Sequence, residues 1–339
     1  MSKGRKIGAA TITSAVVAVA VLIVLSHGSR SVTKAAARSV SSSTPTPPAA
    51  CGPASADAIA AVDGTVAERI YKGELSSRAT SIDVAHITGS QELLSALTRS
   101  DQQAVYTAVH NIVYTPHWHI VRLLVTTNGG HPLADVGGPY IIAPVHGVLR
   151  FKGKAVGRFV MSVQDDLGYM KLITRFVGVP VDLYAGGSFV MGTLQPAPSS
   201  VSSGATFTRA GATYRELVLR PLAFPDGTLK VAMFIPTPAR QVMARSCAEV
   251  RAGAWSEVIG HVAARFHPLS ASYGGLVGTL IGSTGGMAYV REGSRALAGP
   301  TSPKRLPSSG TITFRGRSWS VSSWSPQPAV RVYLLTASS

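Results

Sequence analysis

Charge, cysteine and aromatic side chains are all scarce in this sequence of 339 residues. Charged residues make up 14% and aromatic residues 7% of the chain, and there are only two cysteines. Two cysteines exclude a disulfide-rich miniprotein, and a hydrophobic content of 45% excludes a wholly disordered chain. Acidic residues are also few, with 16 Asp and Glu against 32 Lys and Arg. The resulting net charge of +16 would ordinarily indicate a nucleic-acid partner, so its distribution has to be considered.

The positive charge is concentrated at the two ends of the chain. Residues 1–50 carry six basic and no acidic residues, residues 51–238 carry 15 and 13, and residues 239–339 carry 11 and three. We therefore expect no nucleic-acid partner. The excess positive charge of residues 239–339 is interpreted as arginines exposed to solvent. The alternative is that this charge binds an anionic surface or an acidic partner.

The N-terminus contains the one uncharged apolar run long enough to span a bilayer. It covers residues 7–25, whereas a membrane-spanning helix needs roughly 17–25 residues and the apolar core of a signal peptide about 7–15. The basic residues of segment 1–6 favour a cytoplasmic N-terminus. We expect a single-pass membrane protein whose bulk is extracytoplasmic, or a secreted protein if the segment is cleaved.

A linker rich in Ser, Thr and Pro occupies residues 26–52 and includes Cys51. Lipid attachment at Cys51 is rejected, because Pro48 stands where an apolar residue is needed and the apolar run ends far upstream. Outside the cytosol, Cys51 and Cys247 either form a disulfide or remain unpaired.

Residues 53–195 are predicted to form an α+β module. Apolar residues recur at helical spacing within 53–72, which predicts a long amphipathic helix ending at Gly73. Ser90 and Ser100 are predicted to cap two further helices, the second through a capping box with Gln103. The apolar period then changes to two, which predicts strands over 118–126, 132–136, 147–151, 155–163, 179–184 and 188–194, with a helix from Asp165 through Phe176.

A partial internal repeat about 100 residues apart predicts a second α+β module over residues 196–339. Residues 206–211 (TFTRAG) correspond to 311–316 (TITFRG), followed by Tyr214 or Trp319 and then by a strand, 230–235 or 331–335. A Gly-Gly hairpin is expected before each copy, at 186–187 and at 285–286. Helices are predicted between the copies over 238–251 and 254–266. The fold expected from the sequence is therefore α+β, with an N-terminal membrane helix and two antiparallel sheet modules.

Three segments resemble the Cache domains (PDC-type, PAS-like) that bacteria use as extracytoplasmic sensors. They are residues 122–130 (RLLVTTNGG), 133–137 (LADVG) and 156–166 (VGRFVMSVQDD), and the resemblance extends over residues 55–195, with a second related module behind. It implies PAS-like sheets and an outside-facing pocket for a small ligand, often an organic acid or an amino acid. Such domains usually pass their signal to a cytoplasmic kinase, cyclase or chemotaxis module, and we expect no output domain of this kind here.

Four side chains on the predicted sheet are candidate ligands for an anionic metabolite. Arg122 and Arg150 offer paired guanidinium donors for a carboxylate, and Tyr140 and His146 add hydrogen bonds. The alternative for each is an ordinary solvent-facing residue.

Other motifs were considered for metal binding and catalysis. His117 and His119 share a strand face and are candidate ligand contacts, but no third metal ligand follows at fixed spacing, so no metal is expected. Asp165 and Asp166 are interpreted as a helix cap. A nucleophile motif and a phosphate-binding loop are both lacking, and we expect no enzyme and no cofactor.

The sequence therefore predicts a membrane-anchored protein that binds a small molecule and signals, if it signals, through a membrane or cell-wall partner protein. The alternative is a structural or interaction protein of the cell envelope with no small-molecule pocket.

Overall fold

A computed structural model describes residues 49–116, 118–265, 286–299 and 305–337. The predicted segments 1–6 and 7–25, most of the linker 26–52 and His117 lie outside these ranges. In the parts of the chain described, no helix has the length and apolar character needed to cross a membrane. The architecture is α+β with antiparallel, curled sheets, as the sequence predicted.

The described helices lie mostly in the first half of the chain, and each sheet is preceded by at least one of them. The α-helices are α1 (Ser55–Leu75), α2 (Arg78–Gly89), α3 (Gln91–Thr98), α4 (Gln102–Tyr114), α5 (Asp166–Val177), α6 (Arg240–Met243) and α7 (Cys247–Ala263). The strands are β1 (Arg122–Thr126), β2 (Pro132–Gly137), β3 (Ile142–Phe151), β4 (Lys154–Gln164), β5 (Val181–Ala185), β6 (Ser188–Gly192), β7 (Thr206–Arg209), β8 (Ala212–Leu219), β9 (Leu222–Ala223), β10 (Gly227–Pro236), β11 (Met287–Glu292), β12 (Arg295–Ala298), β13 (Ser309–Phe314), β14 (Arg317–Gln327) and β15 (Val330–Ala337).

The strands form a ten-stranded and a five-stranded sheet. In the larger sheet, β2-β1-β4-β3 continues through the short β9 to β10, which also pairs with β5 and β8. The part around β10 has the order β6-β5-β10-β8-β7, and the five-stranded sheet has the order β12-β11-β15-β14-β13. With β9 set aside, the two sets of five strands have the same order. In each set the first strand along the chain (β5 or β11) pairs with the last (β10 or β15) at the centre. The boundary predicted after residue 195 falls inside the larger sheet, since β5 pairs with β10.

The two copies of the sequence repeat form the same hairpin. Phe207 lies opposite Tyr214 between β7 and β8, and Ile312 lies opposite Trp319 between β13 and β14. Both turns place two successive residues at positive φ, Ala210-Gly211 and Arg315-Gly316. The hairpin predicted at 285–286 lies partly outside the described residues, which resume at Gly286 directly before β11; the β11–β12 turn lies at residues 293–294.

Several predicted helix boundaries are corrected by the structure. Helix α1 continues through Gly73 to Leu75, since one glycine costs a helix only about 1 kcal/mol. Ser90 caps α3 as predicted, but α4 is capped by Asp101, whose Oδ1 accepts from the Ala104 N–H. Ser100 instead ends the preceding turn at φ 54°.

The break between the helices predicted over 238–251 and 254–266 is also misplaced. It lies at Ser246, which forms a capping box with Glu249 at the start of α7. The reciprocal hydrogen bonds of the box satisfy free backbone donors at this point, so α7 begins there and runs on through Gly253.

Helix α1 is enclosed on most of its circumference. It packs against α5, α7 and strands of both parts of the large sheet, including β3, β8 and β10. Its exposed side is a narrow stripe that includes Asp57, Ala61, Glu68 and Lys72. On the enclosed side of α1, small residues allow neighbouring side chains to approach the helix closely. A Cβ at Gly64, for example, would lie 2.8 Å from the Leu217 side chain. The predicted amphipathic helix is thus present, with an apolar surface broader than a single stripe.

Helix α7 joins the five-stranded sheet to α1. It packs on β14 and β15 and on α1, and Gly260 allows the Trp324 ring to lie directly against the helix backbone. Cys51 and Cys247 form a disulfide with a Cα–Cα distance of 4.7 Å. The bridge therefore ties the segment preceding α1 to the first residue of α7.

Replacing Gly260 with alanine is expected to destabilise the fold, because the added Cβ would overlap the Trp324 ring. Overpacking of this kind costs about 1–3 kcal/mol. Gly253→Ala on the same helix is the matched control, because a Cβ there meets no atom within 4 Å. It should instead stabilise the helix by about 0.5–1 kcal/mol. Urea unfolding of both variants measures the difference, and equal effects would contradict the assigned packing.

Removing the disulfide with Cys51→Ala and Cys247→Ala together is expected to lower the free energy of unfolding by about 2–5 kcal/mol. The bridge closes a loop with a sequence separation of 196, which restricts the unfolded chain strongly. Thermal unfolding with and without a reductant gives the check. The reductant should lower the Tm of the unmodified protein and leave that of the double variant unchanged.

Candidate functional site

Arg122, the leading candidate for anion binding, already holds a carboxylate of this chain. Its Nε and Nη2 donate to the two oxygens of Asp135 at 2.9 and 2.7 Å, and its guanidinium lies 4.6 Å from the centre of the Phe224 ring. Bidentate pairing of this kind uses the donors that a ligand carboxylate would need. Asp135 is therefore the residue with which an anionic ligand would have to compete.

The other predicted site residues lie at separate positions along β3 and in the loop before it. Tyr140 is half-buried between β2 and β3, and His146 on β3 is exposed, 3.9 Å from Asp226. Arg150 lies near the far end of the β3–β4 hairpin, where it donates to the carbonyl of Gly153.

The remaining candidates, His119 and the acidic pair at α5, have structural contacts. The backbone N–H of His119 donates to Asp83, and its side chain is exposed. Among the residues described, no group of three or more His, Cys, Asp or Glu side chains is arranged to hold a metal ion. Asp165 caps α5 by accepting from the Gly168 N–H, as predicted. Burial raises the pKa of Asp166, whose carboxylate accepts from the Ile141 N–H.

A cleft lies between α1, α7 and β14. It consists of an outer chamber of about 560 Å³ and an inner chamber of about 210 Å³. The two chambers share four lining residues, Ile59, Pro238, Ala254 and Glu257, and we call them together the α1–α7 cleft. None of the predicted site residues lines either chamber.

The outer chamber is lined by polar groups of both charges. Arg245 and Arg331 lie on it, and Arg331 Nε donates to Ser325 Oγ at 3.3 Å. The carboxylate of Glu249 is occupied by Ser246, whose hydrogen bonds lower the pKa of Glu249. This chamber therefore offers arginine and serine donors near its opening.

One wall of the outer chamber is a hydrogen-bonded contact between α7 and β14. Ser256 Oγ lies 2.7 Å from Ser322 Oγ, and Ser322 Oγ donates to the carbonyl of Ala252 at 3.1 Å. Ser256 is buried with only 2% exposure, so this pair fixes the helix against the sheet where the cleft begins.

The inner chamber is lined by a largely buried carboxyl group. Asp63 on α1 is 3% exposed, and within the described chain its side chain has no hydrogen bond or ion pair, while its oxygens keep some surface toward the chamber. Burial, and secondarily the negative charge of Glu257, raises the pKa of Asp63 well above its usual range. An isolated carboxylate is costly to bury, so Asp63 is the group in this cleft whose energy a ligand can change most.

Asp63 was not identified from the sequence, although its position carried a signal. It falls at helical spacing between Ile59 and Val66, two of the apolar residues that predicted α1. An acid within an apolar stripe will be buried if the helix packs as predicted. Glu257 gave no comparable signal, because its proximity to Asp63 depends on how α7 packs on α1.

Comparison with known proteins yields little. No protein-family model and no curated protein matches the chain. Among solved structures, it is similar to an extracellular ligand binding receptor from Desulfohalobium retbaense DSM5692, with 9% identity and a TM-score of 0.16. The similarity covers 79% of this chain and 40% of the receptor, so the chain spans less than half of that protein. A TM-score this low supports no inference about fold or function.

Replacing Asp63 with asparagine is expected to change how stability depends on pH. Because the native pKa of Asp63 is raised, the folded protein favours the protonated carboxyl. The contribution of this group to the free energy of unfolding is therefore complete below the unfolded pKa, near 3.8, and is lost as pH rises through the native pKa. Asp63→Asn removes this loss and should be more stable than the unmodified protein at neutral pH. Urea unfolding between pH 4 and 8 measures it, with the exposed Glu68→Gln on the same helix as the control. A variant that is less stable at neutral pH would refute the assignment.

Proposed function

We propose that this protein binds a small molecule outside the cytoplasm, and that the α1–α7 cleft is the binding site. The observation that carries the proposal is Asp63, a largely buried carboxyl group with a raised pKa that lines the inner chamber. A strongly perturbed titratable group in a cleft is a candidate for a functional site. Concave sites with few convergent polar groups are the usual form of a ligand pocket.

Membrane anchoring by residues 7–25 belongs to the same proposal. It is supported by the length of the uncharged run and by the basic residues before it. The disulfide between Cys51 and Cys247 is supporting evidence for an extracytoplasmic location, since such bonds persist chiefly in oxidising compartments.

The proposed type of protein is a Cache-like sensor or capture protein with PAS-like sheet modules. It is supported by the sequence motifs that resemble this family and by the repeated strand order around β10 and β15. The proposed site differs from the one that the sequence suggested, because it lies between helices and the five-stranded sheet and not around Arg122. We propose a binding role without catalysis, with any signal passed on by a membrane or cell-wall partner protein.

The proposal is tested by thermal unfolding of the full-length protein against a metabolite library. A compound that binds the folded state raises the Tm, and a concentration 100 times its Kd adds about 2.7 kcal/mol. Gly253→Trp should abolish the shift, because Gly253 lines the outer chamber and has free space around its Cβ. Gly73→Trp on α1 also has free space there and does not line the cleft, and it should retain the shift.

Two results would overturn this function. One is a ligand whose shift survives both Gly253→Trp and Asp63→Asn, because the binding site would then lie outside both chambers. The other is the absence of any shift across the library, which would favour a structural or interaction role in the cell envelope.

A further inference from the structure

We propose that the inner chamber of the α1–α7 cleft binds a small organic ammonium ion whose charged nitrogen pairs with Asp63 and Glu257. The inference rests on the proposed function of the cleft and specifies the chemical class of its ligand. It is carried by the charge, the burial and the lining of the chamber.

The charge of the inner chamber is opposite to that of the chain. The protein carries +16 overall and only 16 acidic residues, yet two of these acids line the chamber and none of its lining residues is basic. Asp63 comes from α1 and Glu257 from α7, so the two carboxyl groups approach from different helices. A positive charge entering between them would find two partners, and an anion would find repulsion.

The burial of Asp63 gives the cation its energetic advantage. Burial makes the ionised form of the Asp63 carboxyl costly, which agrees with its raised pKa. A bound ammonium ion supplies an opposite charge and hydrogen-bond donors, which lowers that cost and favours the carboxylate. Binding should therefore strengthen as pH rises. Glu257 is the one other titratable residue among those lining the inner chamber.

The remaining lining selects an organic cation. Most of it is apolar, with aliphatic side chains from α1, α5, β10 and α7 and two prolines, and its polar hydroxyl comes from Thr237. Within the described part of the chain, no group of three or more His, Cys, Asp or Glu side chains is arranged here to hold a metal ion. The volume of about 210 Å³ is below the range of about 300–1,000 Å³ typical of drug-sized ligands. An amine with a short apolar chain fits both the negative charge of the two acids and the apolar lining of the chamber.

The experiment is calorimetric titration of the full-length protein with n-butylamine, putrescine and choline. Butanol and butyrate serve as neutral and anionic probes of similar size. At least one ammonium probe should bind, and butanol and butyrate should not. Asp63→Asn and the exposed Glu257→Gln should each weaken binding at least tenfold, whereas Glu68→Gln on α1 should leave it unchanged. Affinity for the ammonium probe should increase between pH 5 and 8.

The outcomes separate the ligand class from the proposed site. If butyrate binds as well as n-butylamine, or if Asp63→Asn leaves the ammonium affinity intact, the ammonium assignment is wrong. The same holds if no ammonium probe binds at 10 mM. If the library yields an anionic or neutral ligand that Gly253→Trp blocks, the cleft remains the binding site and only the ligand class fails. Should a ligand bind equally well to Gly253→Trp and to Asp63→Asn, both inferences fail.

Discussion

The enclosure of α1 is the constraint on which the rest of the structure depends. Its neighbours are two helices and strands from both parts of the large sheet, so most of its surface must be small or apolar. Gly64 admits the side chain of Leu217, and the carbonyl of Ala67 accepts from the hydroxyl of the buried Tyr169. The disulfide at Cys51 fixes the segment before this helix to α7. A helix packed in this way holds its neighbours in one arrangement, because interiors at this density tolerate little rearrangement.

The proposed binding site follows from that arrangement. Because α1 is buried, an acid on its inward side loses its water, and Asp63 becomes a carboxyl group without a partner. Helix α7 brings Glu257 to the same place and also supports the five-stranded sheet through Gly260 and Trp324. The cleft therefore lies where α1, α7 and β14 meet. Its outer chamber carries arginine and serine side chains, whereas its inner chamber carries two acids and Thr237 among apolar groups.

Local structure could be predicted where neighbouring residues determine it. The caps at Ser90 and Asp165, the hairpin at 186–187 and the repeat around Gly211 and Gly316 all depend on short-range hydrogen bonds or on positive φ. The errors arose where two nearby residues compete. Ser100 and Asp101 both make good caps, and the chain uses Asp101 because Ser100 is needed to end the preceding turn. The separation of Arg150 from Arg122 has another cause, since side chains of one sheet can still lie several residues apart along its strands.

The sequence by itself determined the class of the fold, the turns of several hairpins and the position of most helices, because periodicity and caps act over a few residues. It also placed an acid within the apolar stripe of α1. Only the tertiary structure decided that Asp135 pairs with Arg122, that Cys51 pairs with Cys247 and that Asp63 and Glu257 line the same chamber. These contacts join residues brought together by packing, and the cost of an unpaired charge depends on how much water that packing removes.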